Sequence, residues 1–323
     1  MNRCLALLLP LLALVVAAAP SARAADKVTF LLPAQTYRPA LAPFVLAEVR
    51  GYYKAEGLDL KLQSVVGGAE VAKQVGLGNA AMGEAVCDAT IIVRSNGVPV
   101  KAVGLLGGGS FTQLIVYADG PIEKPADLKG KTVSVFAYQD TTYYALLGAI
   151  YSAGLTKADV NIVAGGPTNV WTLFLEKKAQ AMGVAPDYIA IVTGKGAKVR
   201  VIPINDYFPT MAQAILASDR MIAQRPETIR KVVHATLRGV QAIVDDPDAA
   251  LADYIKATPE NADNAQRIRR VFDYYKRYVF TPQKVPGAID PNRLAKVQDF
   301  YLKQGIVQKK EPLDALYTNR FVE

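Results

Sequence analysis

The sequence predicts an α/β protein of two lobes, joined by a two-strand hinge with a cleft between them. Three observations carry this. Short apolar runs of strand length alternate with amphipathic runs of helix length from Val28 to Leu106, the order of a mainly parallel sheet covered by helices. The glycine run Gly107–Gly109 interrupts the alternation, which then restarts and continues to Pro203. Beyond Pro226 the apolar residues recur at helical spacing.

In chain order, Val28 to Leu32 reads as a buried strand and Pro43 to Tyr53 as a helix stopped at Gly57. Leu58, Leu60 and Leu62 alternate with Asp59, Lys61 and Gln63, a strand with one wetter face. Gly67-Gly68 opens a loop before a short amphipathic helix, Ala69 to Leu77. Ala81-Met82-Gly83 reads as a short strand, Asp88 to Ser95 as a helix and Val100 to Leu106 as a strand. In the second series, Gln113 to Tyr117 is a strand ending in the turn Asp119-Gly120-Pro121. Strands follow near Lys131–Val135, Val160–Val163, Ala181–Val184 and Val199–Pro203, with helices near Thr141–Ala153 and Asn169–Lys178 between them. Met211 to Leu216 reads as a return strand. Pro226 suits a first helical position, and Ile229, Val233, Leu237, Val240 and Val244 line one face of the helix it opens. Asp246 before Pro247 is an N-cap for the next helix. These C-terminal helices are expected to pack on the first lobe. The predicted division is 25–113 plus 212–323 for that lobe and 119–205 for the second, with crossing segments at 114–118 and 206–211. Two crossings form a hinge.

The chain begins with the features of an export leader. Asn2 and Arg3 precede an apolar run, Leu5 to Ala19, broken only by Pro10, and Ala22-Arg23-Ala24 supplies small residues flanking a cleavage point. The run is too short and too Ala-rich for a comfortable membrane span, although an N-terminal anchor is the alternative reading. Cys4 lies before the apolar run, so it is not the lipid-acceptor cysteine that follows such a run. Cleavage after Ala24 predicts a soluble, monomeric periplasmic protein of residues 25–323, too long for one ordinary core. It retains Cys87 as its single cysteine, which excludes an internal disulfide.

Composition narrows the function classes. With 51% apolar and 20% charged residues, the chain is globular. The formal charge of +8 is spread along the sequence, without the basic stripe and interleaved aromatics of a nucleic-acid protein. His234 is the sole histidine and lies within an apolar-periodic helix, which removes metal sites needing two His ligands. A Ser-His-Asp triad would have to use it, and no nucleophile elbow accompanies it. Gly130-Lys131-Thr132 mimics the end of a phosphate-binding loop, but it precedes its strand and has Pro125 where the first glycine belongs. No cofactor or metal is expected.

Several segments, taken in order, resemble one family. Pro43-Phe44-Val45-Leu46-Ala47, Gly51-Tyr52-Tyr53 and Glu56-Gly57-Leu58-Asp59-Leu60 lead, followed by Gly67-Gly68-Ala69 and Asn96-Gly97-Val98-Pro99-Val100. Lys124-Pro125-Ala126-Asp127-Leu128-Lys129-Gly130-Lys131, Arg225-Pro226-Glu227 and Asp246-Pro247 complete the set. The pattern is similar to that of the periplasmic substrate-binding proteins of ABC importers, of the thiamine-pyrimidine, sulfonate and nitrate type. The resemblance spans nearly the whole mature chain. It implies the type II periplasmic binding fold, a non-enzymatic role in ligand capture, and an ABC permease with its cytoplasmic ATPase as partners. It leaves open a sensor protein with a signalling partner, or an enzyme on the same fold. The eukaryotic thiamine-pyrimidine synthases also resemble it, but they carry a Cys-rich motif and a histidine that this chain lacks. The chain departs from the family pattern at Met82-Gly83-Glu84-Ala85-Val86-Cys87-Asp88, where acidic groups replace an uncharged turn.

Ligands in open α/β sheets bind beyond the carboxyl ends of the strands. On that rule the first lobe offers Thr36, Tyr37, Arg38, Gly68, Ala69, Glu84, Asp88, Ser110 and Thr112. The second offers Tyr138, Asp140, Thr141, Thr142, Asn169 and Asp187. Thr141 and Thr142 at a helix start, with Arg38, suit an anion such as a sulfonate or carboxylate. Glu84, Asp88, Asp140 and Asp187 suit an amine or a ring nitrogen instead, and Tyr37, Tyr138, Tyr143 and Trp171 could stack on a flat ring. Each also has an ordinary structural reading: Asp88 and Asp140 as helix caps, Trp171 as an inner-face core residue, Arg38 as a solvated side chain.

Overall fold

The computed structural model describes residues 25–34, 38–138 and 140–322. The leader, Gln35, Thr36, Tyr37, Gln139 and Glu323 lie outside the described residues.

Two five-stranded mixed sheets form the frame. The first contains β1 (Asp26–Leu32), β2 (Leu58–Ser64), β3 (Met82–Val86) and β4 (Val100–Leu105). The second contains β5 (Gln113–Tyr117), β6 (Thr132–Val135), β7 (Asn161–Ala164), β8 (Ala181–Val184) and β9 (Val199–Pro203). The last strand, β10 (Gln213–Ser218), returns to the first sheet. The spatial orders are β2-β1-β3-β10-β4 and β7-β6-β8-β5-β9. In each, the fourth position is held by a strand antiparallel to its neighbours: β10 against β3 and β4, β5 against β8 and β9. The two sheets are thus one pattern used twice, with each reversed strand beginning where a crossover ends.

Residues 114–118, read from the sequence as a crossing segment, lie largely within β5. The chain instead passes between sheets over residues 106–112, and returns over residues 204–212. The predicted third strand also starts and ends later than Ala81–Gly83, so Glu84 sits within β3, facing Ile215 of β10 in register. The predicted helix Pro43–Tyr53 divides into Ala42–Val49 and Tyr52–Ala55. Gly51 between them has φ of 70°, a left-handed turn that an L side chain would strain.

The strands carry the cores. Phe30, Leu32, Met82, Ile215 and Leu216 are completely buried in the first sheet, as are Ile115, Val133 and Met182 in the second. Full burial of each such side chain stabilises by about 1.5–3 kcal/mol relative to exposure. The long helix Pro226–Asp245 packs on the first lobe, so closely that a Cβ on Gly239 would lie 2.0 Å from the carbonyl oxygen of Pro43. Asp246 caps the next helix through the amides of Asp248 and Ala249, as its position before Pro247 predicts.

The last two long helices reach further than the sequence predicts. Ala265–Tyr278 carries Tyr274 and Tyr278, which pack against the apolar cores of both sheets. Pro291–Lys303 carries Phe300 and Tyr301, whose rings lie 5.8 Å from Tyr151 and 5.5 Å from Tyr144 of the second lobe. These helices flank the space between the lobes, and the lobes are in contact.

Candidate functional site

The loop after β1 meets the helix after β8 across this interlobe seam, and Asp88, after β3, lies within electrostatic reach of Asp140, after β6. Arg38, in the loop after β1, donates to Asp187 of the second lobe at 2.5 Å. Asp187 occupies the first turn of the helix Pro186–Gly194, which directly follows β8. Its carboxylate therefore lies at the positive end of a helix dipole as well as beside a guanidinium. Asp187 pushes Arg38 further above its ordinary range.

Glu84 of β3 is buried. Burial pushes its carboxyl up to about 8, partly opposed by the Gln213 side chain and the charge of Arg38. Tyr275, from the helix Ala265–Tyr278, is also buried, and burial raises its hydroxyl, with the charges of Asp187, Arg38 and Glu84 all acting on it. Arg38, Glu84, Asp187, Gln213 and Tyr275 thus form one electrostatic group drawn from both lobes. Glu84 Oε2, Asp187 Oδ1, Gln213 Oε1 and the Tyr275 hydroxyl are buried without a hydrogen-bond partner. Folded proteins rarely leave such atoms unpaired, because each costs about 1–3 kcal/mol.

Gln113 and Gln213 hold matching positions. Each opens the reversed strand of its sheet, opposite the last residue of the neighbouring parallel strand: Gln113 faces Val184, and Gln213 faces Val86. The amide nitrogen of Gln113 donates to Ser110 O at 2.7 Å, and that of Gln213 to Ala40 O at 3.1 Å. A carbonyl partner fixes which end of an amide is nitrogen, so both free ends present oxygen, and both oxygens are buried and unpaired. The sequence reading did not single out these glutamines. The available signal was a polar residue opening an otherwise apolar strand, in QLIVY and QAILAS.

The other candidates divide by environment. Asp88 is buried and accepts from the Tyr301 hydroxyl, while its second oxygen is unpaired. Burial pushes its carboxyl up to about 7. It stands at the start of the helix Ala89–Ser95 yet makes no side-chain cap there. Asp140 does cap its helix, accepting from Thr142 N at 2.9 Å and Thr142 Oγ1 at 2.5 Å. The helix start beside Thr141 and Thr142, expected to suit an anion, thus already holds a carboxylate of the chain itself. Gly68 begins the helix Gly68–Leu77, where an added Cβ would lie 3.0 Å from the Ala85 side chain, and Ala69 beside it is exposed. Tyr138 is about half exposed, donates to Ile162 O at 3.1 Å and meets Tyr143 edge-on. Asn169 is exposed on its helix. Trp171 is half-buried at the margin of the second core, with Lys195 over its ring at 5.1 Å. Thr36 and Tyr37 lie outside the described residues.

Ser110 and Thr112 belong to the crossovers. The Ser110 hydroxyl pairs with that of Thr210, joining the outgoing crossover to the returning one. Arg293 fastens the same place: it donates to Gly108 O at 2.5 Å, Asn205 Oδ1 at 2.8 Å and Thr210 O. Gly107 and Gly109 permit the packing, since a Cβ there would lie 2.1 Å from Val279 O or 1.9 Å from Tyr278 O. Sequence reasoning missed Arg293 because its partners are backbone oxygens distant in the chain.

Cys87 is free and buried, and burial raises its thiol far above the reactive range. His234 is half-buried in the helix Pro226–Asp245. Among the described residues no helix is long and apolar enough to cross a membrane, and no group of three His, Cys, Asp or Glu residues is placed to hold a metal ion.

Known proteins share this architecture. The riboflavin-binding protein RibY of Chloroflexus aurantiacus is 26% identical over 314 residues, covering 94% of this chain and 89% of that protein. The 4-amino-5-hydroxymethyl-2-methylpyrimidine phosphate synthase of Aspergillus parasiticus is 28% identical over 272 residues, covering 78% and 77%. In structure, the periplasmic aliphatic sulphonate binding protein SsuA of Escherichia coli superposes with a TM-score of 0.74 at 17% identity, covering 93% of this chain and 94% of that one. At that identity the likeness establishes the periplasmic binding protein fold alone. The sequence profile described as NMT1/THI5 like matches residues 38–250; with this length of agreement and the two-lobe fold, the chain belongs to the NMT1/THI5-like family.

Proposed function

We propose that this chain is the solute-binding component of an ABC importer. It captures a small polar or aromatic organic ligand between its lobes and delivers it to a membrane permease driven by a cytoplasmic ATPase. The observation that carries this reading is the interlobe seam. Two lobes of matching topology bring buried, unpaired polar atoms together at their strand ends, with Arg38 and Asp187 bridging them. A ligand that satisfies those atoms binds the joined lobes better than the separated ones, and only such differential binding drives closure. A binding-protein relative and the family assignment support the reading. The leader-like first 24 residues support export to the periplasm, with cleavage after Ala24.

The synthases among the relatives raise a second reading, an enzyme acting on a pyrimidine. The chain's sole histidine, His234, lies in a first-lobe helix and belongs to none of the groups at the seam, which favours capture over acid–base chemistry there.

A thermal-shift screen of residues 25–323 against a broad metabolite panel, after unfolding and refolding to strip any co-purified ligand, tests both. A ligand at about 100 times its Kd adds roughly 2.7 kcal/mol, a shift of a few degrees. Hits recovered chemically unchanged support capture. Hits recovered as product support the enzyme, and a flat screen opposes both.

A further inference from the structure

We propose that the joining of the lobes is proton-linked. The joined form keeps a proton on Asp88; once that proton leaves, Asp88 and Asp140 stand as like charges on opposite lobes and favour separation. This goes beyond the binding-protein reading. It rests on the lobes being free to part, not on which ligand is captured.

A chain of groups crosses the seam here. Asp88 follows β3 in the first lobe and is 1% exposed. Its Oδ2 accepts from the Tyr301 hydroxyl, while Oδ1 is buried without a hydrogen-bond partner. Tyr301 belongs to the helix Pro291–Lys303, whose Arg293 ties the two crossovers together. The Tyr301 ring meets Tyr144 of the second lobe edge-on at 5.5 Å. Asp140 caps the helix that carries Tyr144, and its charge acts on Asp88, Tyr144 and Tyr301 alike.

These surroundings suit a neutral acid better than an anion. Tyr301 and the residue's own amide favour the carboxylate, while burial and the charge of Asp140 oppose it. Burial prevails and pushes the carboxyl up to about 7. Cys87 beside it is buried, and burial raises its thiol too. Arg293 is the cation that acts on this corner, through Cys87, but its donors are spent on Gly108 O, Asn205 Oδ1 and Thr210 O.

Separation of the lobes reverses both opposing effects. Asp140 leaves with its lobe and water reaches the seam, so the Asp88 carboxyl falls back toward the ordinary carboxylate range. The joined form therefore binds more protons wherever pH lies between that range and about 7. Its advantage is complete at low pH, declines by up to about tenfold per pH unit across that window, and is spent above it. Glu84, buried on the same seam and held up to about 8, extends the window upward, so a change at Asp88 alone removes part of the dependence.

Small-angle X-ray scattering of the refolded, ligand-free protein at about pH 5 and about pH 8 tests the proposal. The expected result is a larger radius of gyration at the higher pH, with circular dichroism showing the same fold at both. Asp88→Asn, which cannot ionise, should expand less than the unsubstituted protein. So should Asp140→Asn, which keeps a capping oxygen for Thr142 without the charge. Tyr301→Phe removes a donor that favours the carboxylate, so its expansion should begin at a higher pH, a shift that lost packing alone would not produce. An unchanged radius in the unsubstituted protein overturns the proposal. Expansion of the same size in Asp88→Asn overturns the role given to Asp88, and the proposal with it. The measurement needs no ligand, so its failure is distinguishable from that of a flat ligand screen.

Discussion

Arg38 and Asp187 lie 149 residues apart in the chain, yet the guanidinium and carboxylate meet at 2.5 Å and tie the end of β1 to the helix after β8. The pair is asymmetric: the Arg38 side chain is 38% exposed and that of Asp187 9%. Losing Asp187 leaves an arginine that water can still reach, whereas losing Arg38 strands a carboxylate.

Arg38→Met is therefore expected to destabilise by about 1–3 kcal/mol, and Asp187→Asn by less than about 1 kcal/mol. Urea unfolding of both variants and of the double variant measures this. Small costs for both single changes, simply adding in the double variant, would show that the pair is solvated, not a bridge.

Stability should also depend on pH through Glu84 and Asp88. In the unfolded chain both titrate as ordinary carboxyls, while the folded protein holds their protons to about 8 and about 7. Between those ranges the folded state binds more protons, so their contribution is complete at low pH and is lost as pH rises through the folded values. Melting temperature is expected to fall by several degrees between about pH 5 and about pH 8.5. Glu84→Gln should remove the upper part of that fall; an unchanged profile would place the Glu84 carboxyl in contact with water.

The joint between the crossovers gives a third expectation. Arg293 serves several backbone oxygens with one planar fork, a geometry that lysine cannot reproduce. Arg293→Lys and Arg293→Ala should both destabilise, by about 2–4 kcal/mol, with little rescue by lysine. Differential denaturation of the three proteins reads this, and full rescue by lysine would reduce the residue to a simple counter-charge.

Glycine substitutions separate close packing from backbone strain. Gly109→Ala places a Cβ 1.9 Å from a backbone oxygen and should cost at least about 3 kcal/mol. Gly196→Ala has open space but φ of 89° and should cost about 1–2 kcal/mol. A mild effect at Gly109 would mean that the crossover moves freely away from Tyr278.

Much of the fold was legible because its signals are local. Alternation at Leu58–Leu62, the Asp246-Pro247 cap and the helical spacing after Pro226 each depend on near neighbours in the chain. The strand-end rule likewise named Arg38, Glu84 and Asp187, which the structure brings together. What escaped depends on distant pairing. Nothing near Gln113 announces that β5 lies inside the second sheet, and nothing near Tyr275 or Tyr301 announces that their helices flank the seam. Asp140 shows the converse: its capping role was visible locally, and it changes what the neighbouring helix start can bind.

Bound ligand is expected to hold the two lobes together. Small-angle X-ray scattering of the refolded protein, with and without a saturating thermal-shift hit, tests it directly. The expected result is a smaller radius of gyration with ligand than without. An unchanged radius, with binding verified in the same sample, would contradict capture by lobe closure.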